Sequence, residues 1–300
     1  MPQQPINFVD TPLLRVAFLE DGPRSGWPVI LVHGYPYDVH AFEVDARLLA
    51  AAGARVIRPY VRGYGQTRFL SDEAMRNGQQ AARGRDLIQL AEVLRLNRPI
   101  LAGFDWGGNA SCVAAALWPE QVGGLVSYAG YDIIDVDAQR SASAPSLERV
   151  CWYQHLFQSE RGRACLRDNR VEIGRMLWRE WSPGWAFDEA TYARTAEAFS
   201  NPDFVDVVIH AYRFMHGRDA GDPELRPLED RLARRPPIAV PTVTIDGTED
   251  PLKPGGTADH ARLFSGPHEH RTLTVGHNVP QEAPGAFADA VLKVHSWGTA

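Results

Sequence analysis

The chain has 300 residues, 44% hydrophobic and 23% charged, which excludes a disordered, collagen-like or coiled-coil chain and fits one large α/β domain or two smaller ones. The net charge of −6, from 31 basic and 37 acidic residues, argues against nucleic acid as a partner, because phosphate binding needs a basic surface. Only two basic residues are Lys, the Arg residues are scattered, and no stretch reaches the ~18 apolar residues of a membrane span, so no membrane partner is expected.

At the N-terminus, MPQQPINFVDTPLLRVAF has no charged segment followed by an apolar run. Cys112, Cys151 and Cys165 form no CxxC and match no His spacing, which supports neither a disulfide framework nor a zinc site. The expectation is a cytoplasmic monomer or homodimer.

Ile6–Asp10 and Leu13–Leu19 read as short strands. Val29–Val32 is a buried run ending at His33-Gly34, Arg55–Pro59 a second and Pro99–Gly103 a third. Leu87, Leu90, Ala91 and Leu94 recur at i, i+3, i+4, i+7, one face of a helix, and Gly124–Ala129 is another strand. Buried strands alternating with helices predict parallel βαβ units. From about Asp137 the pattern changes. Residues 138–234 hold no convincing strand and read as helices broken at Ser182-Pro183-Gly184 and Asn201-Pro202-Asp203, with four of the eight Trp. After Arg235-Pro236-Pro237 the alternation returns with Val243–Asp246, Arg271–Val275 and a helix through Phe287, Ala290 and Val291. The predicted organisation is a core of residues 1–137 and 235–300, with 138–234 as an inserted helical lid, since a structureless loop of that length is implausible.

Gly103-Phe104-Asp105-Trp106-Gly107 joins the third buried strand to a helix of small residues, Asn109–Ala116. This is G-x-nucleophile-x-G with Asp in the central place. The spacing alone is unspecific, because 26 glycines give about two such Gly pairs by chance; its position after a buried strand adds the weight. A carboxylate is already ionised at neutral pH and needs no base to attack a saturated carbon. The ester it forms carries the enzyme's own carbonyl, so the base acts in the second step, on water. Serine there points instead to acyl transfer.

His277, in Val275-Gly276-His277-Asn278, follows a late strand and is the candidate base. Asp250, in Thr248-Glu249-Asp250, is its candidate partner, giving the order nucleophile, acid, His. Glu249, Asp132 and Asp135 compete for the role of Asp250. His268 and His270 read as a solvated strand face and His33 as a structural hydrogen-bonding residue. In His33-Gly34-Tyr35-Pro36, the backbone N–H of Tyr35, with that of Trp106, forms a candidate oxyanion hole on Asp105; a tight turn with a cis Tyr35-Pro36 bond fits the same residues.

HGYP (His33–Pro36), RGYGQT (Arg62–Thr67), GFDWGG, the Glu249-Asp250 loop and GHNVPQEAP (Gly276–Pro284) together resemble the α/β-hydrolase superfamily, and within it the epoxide hydrolases, an Asp-nucleophile branch related to haloalkane dehalogenases. The resemblance implies the α/β-hydrolase fold: a mostly parallel eight-stranded sheet flanked by helices, with an inserted helical cap. Trp152–Gln158 (WYQHLFQ) and Ile209–Arg213 (IHAYR) resemble the segments that carry the family's two lid tyrosines, so Tyr153 and Tyr212 are the implied pair that binds and protonates the epoxide oxygen. Tyrosine, with a pKa of about 10, stays neutral in the free enzyme and can still protonate an alkoxide. Tyr37, Tyr60, Tyr64, Tyr128, Tyr131 and Tyr192 are expected to pack with their hydroxyls at the surface.

The implied activity is hydrolysis of an ether bond: a small apolar organic epoxide and water give a vicinal diol through an Asp105 ester that His277-activated water cleaves. Trp106, Trp152 and Gln154 are the expected substrate contacts. No metal and no organic cofactor is implied. Haloalkane dehalogenase is the rival, with Trp152, Trp178, Trp181 or Trp185 as halide-binding indoles, but Tyr35 stands where that family often has Asn. Fluoroacetate dehalogenases place arginines after the nucleophile, and Trp106-Gly107-Gly108-Asn109 has none. A non-catalytic ligand-binding protein on the same fold is the third reading, disfavoured by an intact triad.

Overall fold

The computed structural model describes residues 4–298. Nine strands form one sheet: β1 (Asn7–Asp10), β2 (Leu14–Asp21), β3 (Trp27–Val32), β4 (Ala54–Pro59), β5 (Arg68–Phe69), β6 (Ile100–Gly103), β7 (Gly124–Tyr128), β8 (Thr242–Gly247) and β9 (His268–Leu273). Eight follow the order β1-β2-β4-β3-β6-β7-β8-β9, and the two-residue β5 hangs on β2. Pairing is antiparallel at β1–β2, β2–β4 and β2–β5 and parallel from β4 through β9.

The helices of the outer layers are α1 (Glu43–Ala51), α2 (Gln80–Val93) and α3 (Trp106–Leu117). Between β7 and β8 come α4 (Pro145–Val150), α5 (Trp152–Leu156), α6 (Glu160–Trp181), α7 (Glu189–Ala196), α8 (Phe204–Met215) and α9 (Arg226–Leu232), with short 3₁₀ turns; α10 (Val279–Glu282) and α11 (Pro284–Gly298) close the chain. One sheet face buries Leu87, Ala110, Val113 and Leu232 of α2, α3 and α9; the other buries Ala46, Leu49, Phe287 and Val291 of α1 and α11. Covering both faces is what makes β3 and β6 continuously apolar rather than alternating.

No described residue between β7 and β8 is in a strand. Helix α6 ends before Ser182-Pro183-Gly184, and Asn201-Pro202 separates a 3₁₀ turn from α8, since Pro cannot continue a helix ladder. Trp178, Trp181, Tyr192, Phe199 and Phe204 of this insertion join the same apolar cluster as Tyr35, Tyr37 and Phe104 of the core. The Trp178 indole N–H donates to the Pro36 carbonyl at 2.9 Å, tying α6 to the segment after β3.

The last strand begins three residues earlier than expected, at His268 rather than Arg271. His268 and His270 are not a solvated face. A ring nitrogen of each lies near Thr244 Oγ1 of β8, at 2.9 and 3.1 Å, and His268 stacks on Phe264 with centroids 4.3 Å apart. These contacts supply the polar and apolar partners that let a His-rich segment pair as a strand. Among the described residues no helix is long and apolar enough to cross a membrane.

Candidate active site

The Asp105 side chain is presented by a backbone that few residues tolerate. Its φ of 52° and ψ of −132° place it at the turn between β6 and α3, a conformation costing on the order of 1–3 kcal/mol that the packing around it must hold. The glycines are required by close approach: a Cβ on Gly107 would lie 1.8 Å from the Val32 carbonyl oxygen, and one on Gly34 would lie 2.1 Å from Asp105 Oδ1.

The two carboxylate oxygens of Asp105 have different surroundings. Oδ1 accepts the Tyr35 N–H at 2.7 Å and the Trp106 N–H at 2.6 Å. Both amides of the expected oxyanion hole therefore meet on one oxygen, and the Tyr35-Pro36 bond is cis. Oδ2 faces His277 Nε2 at 3.3 Å. His277 Nδ1 lies 2.8 Å from Asp250 Oδ2, and Asp250 is buried, with Oδ1 accepting the Leu252 N–H at 2.9 Å. The competing carboxylates stand elsewhere. Glu249 is exposed, Asp132 pairs with Lys253 at 3.4 Å, and Asp135 accepts the Ala138 N–H at 3.0 Å.

Burial alone would lower the His277 imidazolium. The facing Asp250 and Asp105 carboxylates outweigh it and hold the pKa up at about 10. Burial likewise opposes ionised Asp250, but His277 and its hydrogen bonds bring that carboxyl below the usual range. His33 is the structural residue expected: it is fully buried, its Nδ1 lies 3.1 Å from the Gly34 carbonyl, its Nε2 accepts the Val61 N–H at 3.3 Å, and burial lowers it to about 4.

A cavity of about 820 Å³ opens over Asp105. Its wall includes the aromatic Trp106, Tyr153 and Tyr212 and the charged Asp132, Arg235 and Lys253. Tyr153 and Tyr212 come from α5 and α8 and meet edge to face, centroids 5.2 Å apart, both against the Tyr35 ring. Burial pushes both phenols well above 10, so both are neutral donors. Gln154 lines the cavity and donates to the Tyr153 hydroxyl at 2.9 Å. Trp152 does not belong to the wall. Its indole N–H donates to Glu180 Oε2 at 3.0 Å, because the residue beside Tyr153 on a helix points about 100° away, here toward the outer edge of α6. Trp178 spends its indole N–H on Pro36, while the Trp181 indole nitrogen is buried without a partner, beside the rings of Tyr153 and His277. Among the described residues no group of three His, Cys, Asp or Glu is placed to hold a metal ion.

The six tyrosines expected to reach the surface are all buried. Tyr131 and Tyr192 donate to the carbonyls of Pro236 and Val171. Tyr128, expected only to pack, instead touches the candidate triad. Its hydroxyl lies 3.0 Å from Asp250 Oδ2 and 2.7 Å from the Gly276 carbonyl, bridging the acid to the His277 loop. Only the β7–β8 pairing brings it there. That loop is fixed further by Trp181, whose carbonyl accepts the His277 N–H at 2.9 Å, and by Glu282, which accepts the N–H groups of Gly276 and Asn278. If Asp105 carries a covalent ester, Tyr128→Phe is expected to slow its hydrolysis about tenfold, the worth of one lost hydrogen bond to a charged group, with little effect on its formation. Single-turnover rates of the two steps check this.

The comparisons with known proteins point the same way. The profile of the alpha/beta hydrolase fold family matches residues 28–284. The chain is similar to a candidate epoxide hydrolase of Klebsiella pneumoniae subsp. pneumoniae, with 42% identity over 96% of each chain and a TM-score of 0.94. It is 25% identical to epoxide hydrolase A of Mycobacterium tuberculosis over 96% of both, and 36% identical to a haloalkane dehalogenase of Psychrobacter cryohalolentis over 32% of this chain and 31% of that one. Several curated relatives are matched over only 29–42% of their own length. With the family profile spanning most of the chain and the strand order, elbow and Asp–His–Asp arrangement all in place, this chain belongs to the α/β-hydrolase fold family.

Proposed function

We propose that the protein is an epoxide hydrolase that opens an organic epoxide to a vicinal diol through a covalent Asp105 ester. The observation that carries the reading is the pair of buried, neutral phenols of Tyr153 and Tyr212 across the cavity from a carboxylate whose Oδ1 is held by two amides and whose Oδ2 is not. In this scheme Oδ2 attacks a ring carbon, the C–O bond breaks, and the departing oxygen takes a proton from the tyrosine pair. The apolar flank of the substrate packs on Trp106, Tyr153 and Tyr212. Helices 138–234 act as the cap that supplies both tyrosines.

Water activated by His277, with Asp250 behind it, then attacks the ester carbonyl. The oxyanion forms on Oδ1, where the Tyr35 and Trp106 amides already point, an arrangement that costs no reorganisation at the moment of reaction. The relatives named epoxide hydrolase support the reading. A haloalkane dehalogenase is the second reading, favoured by the relatives of that name that match part of this chain.

Styrene oxide and 1-bromobutane separate the two. Diol from the first without bromide from the second is the expected result. Tyr153→Phe with Tyr212→Phe is expected to cut diol formation by at least about 10²-fold, the usual worth of a positioned acid. Bromide release that exceeds diol formation, and that survives loss of both hydroxyls, overturns the epoxide reading.

A further inference from the structure

A histidine that the scheme above leaves unused stands two hydrogen bonds from the Tyr153 hydroxyl. His216, just past the end of α8, lines the same cavity as Tyr153, and its Nε2 lies 3.1 Å from Gln154 Oε1. The other end of that amide, Nε2, donates to the Tyr153 hydroxyl at 2.9 Å. The main chain on both sides is anchored: Gln158 donates to the Gln154 carbonyl at 2.8 Å, and the His216 N–H donates to the Tyr212 carbonyl at 3.2 Å.

The chemistry turns on which end of the amide faces the phenol. A carboxamide is a donor at nitrogen and an acceptor at oxygen; a phenol has one proton and lone pairs to accept with. With nitrogen facing Tyr153, the hydroxyl accepts from Gln154 and keeps its own proton for another acceptor. With oxygen facing it, Gln154 would take that proton, and the phenol would have none for a departing alkoxide. Nothing in the amide itself selects between the two orientations. His216 does when its ring proton sits on Nε2, where that N–H donates to Oε1 and holds the oxygen end on the far side.

We infer that His216 and Gln154 form a positioning relay that keeps the Tyr153 proton available for epoxide opening. The inference rests on the epoxide reading. As the Asp105 Oδ2–carbon bond forms and the ring C–O bond breaks, the bond's electron pair goes to the ring oxygen, which takes the proton from Tyr153. The phenolate left behind accepts the Gln154 N–H, which strengthens against the new charge, until it recovers a proton from cavity water. His216 and Gln154 touch none of the reacting atoms, and both act through Tyr153.

The test exchanges donor for acceptor at one place in the full-length protein, with styrene oxide as the probe. Ester on the Asp105 peptide is followed by rapid quench and mass spectrometry, and diol release is timed separately. His216→Glu puts an acceptor against Oε1 and turns the amide, so ester formation is expected to fall about tenfold while ester hydrolysis keeps its rate. His216→Gln keeps an N–H there and is expected to recover ester formation to within about threefold of wild type. Gln154→Leu removes the amide without adding charge, is expected to slow the first step alone, and carries the same comparison where the glutamate variant does not fold.

Unchanged ester formation in His216→Glu or Gln154→Leu overturns the relay. So does an equal loss in both steps, which a purely structural role would give. A wild-type protein that never acquires the ester overturns the functional reading itself, a result distinct from wild type reacting and the variants matching it.

Discussion

Asp105→Ala is expected to abolish diol formation, by at least about 10⁴-fold, with the fold intact. The side chain lies on the surface of the cavity rather than in the core, and its removal takes away the nucleophile without opening the apolar cluster behind it. The same assignment makes a sharper isotopic prediction. In a single turnover in ¹⁸O-labelled water, the label is expected in the Asp105 carboxyl and not in the diol. In the proposed scheme water attacks the ester carbonyl, so the diol leaves with an oxygen that began as Asp105 Oδ2. Label appearing directly in the first-turnover diol means that water attacks the epoxide itself, and the covalent scheme then fails.

His277→Gln is expected to trap the ester, slowing its hydrolysis by about 10²–10⁴-fold while Asp105 is still alkylated. A stable mass addition on the Asp105 peptide is the readout; free turnover in this variant sinks the second step. The charge state of the site adds a pH dependence with a definite sign. A pKa raised to about 10 keeps His277 protonated at neutral pH, facing Asp250 and Asp105, and the charge is lost only as pH rises through about 10. In the proposed scheme ester formation neutralises Asp105, one of the two carboxylates that hold the proton on. The imidazolium then lets go more readily, so the first step prepares the base for the second. The free enzyme keeps one protonation state at His277 from pH 7 to about 9, and kcat/KM is expected to be flat there. Ester hydrolysis, which needs neutral imidazole beside an uncharged ester, is expected to rise with pH through a lower pKa. Single-turnover rates of the two steps across pH separate these profiles.

What was legible in the residues was what short-range sterics impose. Gly103 and Gly107 flank Asp105 because backbone comes too close for a side chain, and that requirement shows as a motif after an apolar strand. The apolar runs at β3 and β6 and the absence of strands between β7 and β8 follow from local periodicity in the same way. The errors share one origin, the direction of a side chain relative to a distant partner. Trp152 adjoins Tyr153 in the chain yet turns to Glu180, and Tyr128 hides its hydroxyl in a bond to a residue 122 positions away.

The sequence by itself determined the side chains on offer: an aspartate on a strained turn, a histidine after a late strand, and two tyrosines in a helical insertion. Four carboxylates competed to partner that histidine, and only the tertiary structure chose Asp250, since the choice depends on parallel pairing of β7, β8 and β9, which joins segments far apart in the chain. The same holds for the two environments of the Asp105 oxygens and for the His216–Gln154–Tyr153 line. Each is a distance between elements, set by how a sheet and its insertion pack, and no local pattern of residues encodes a distance of that kind.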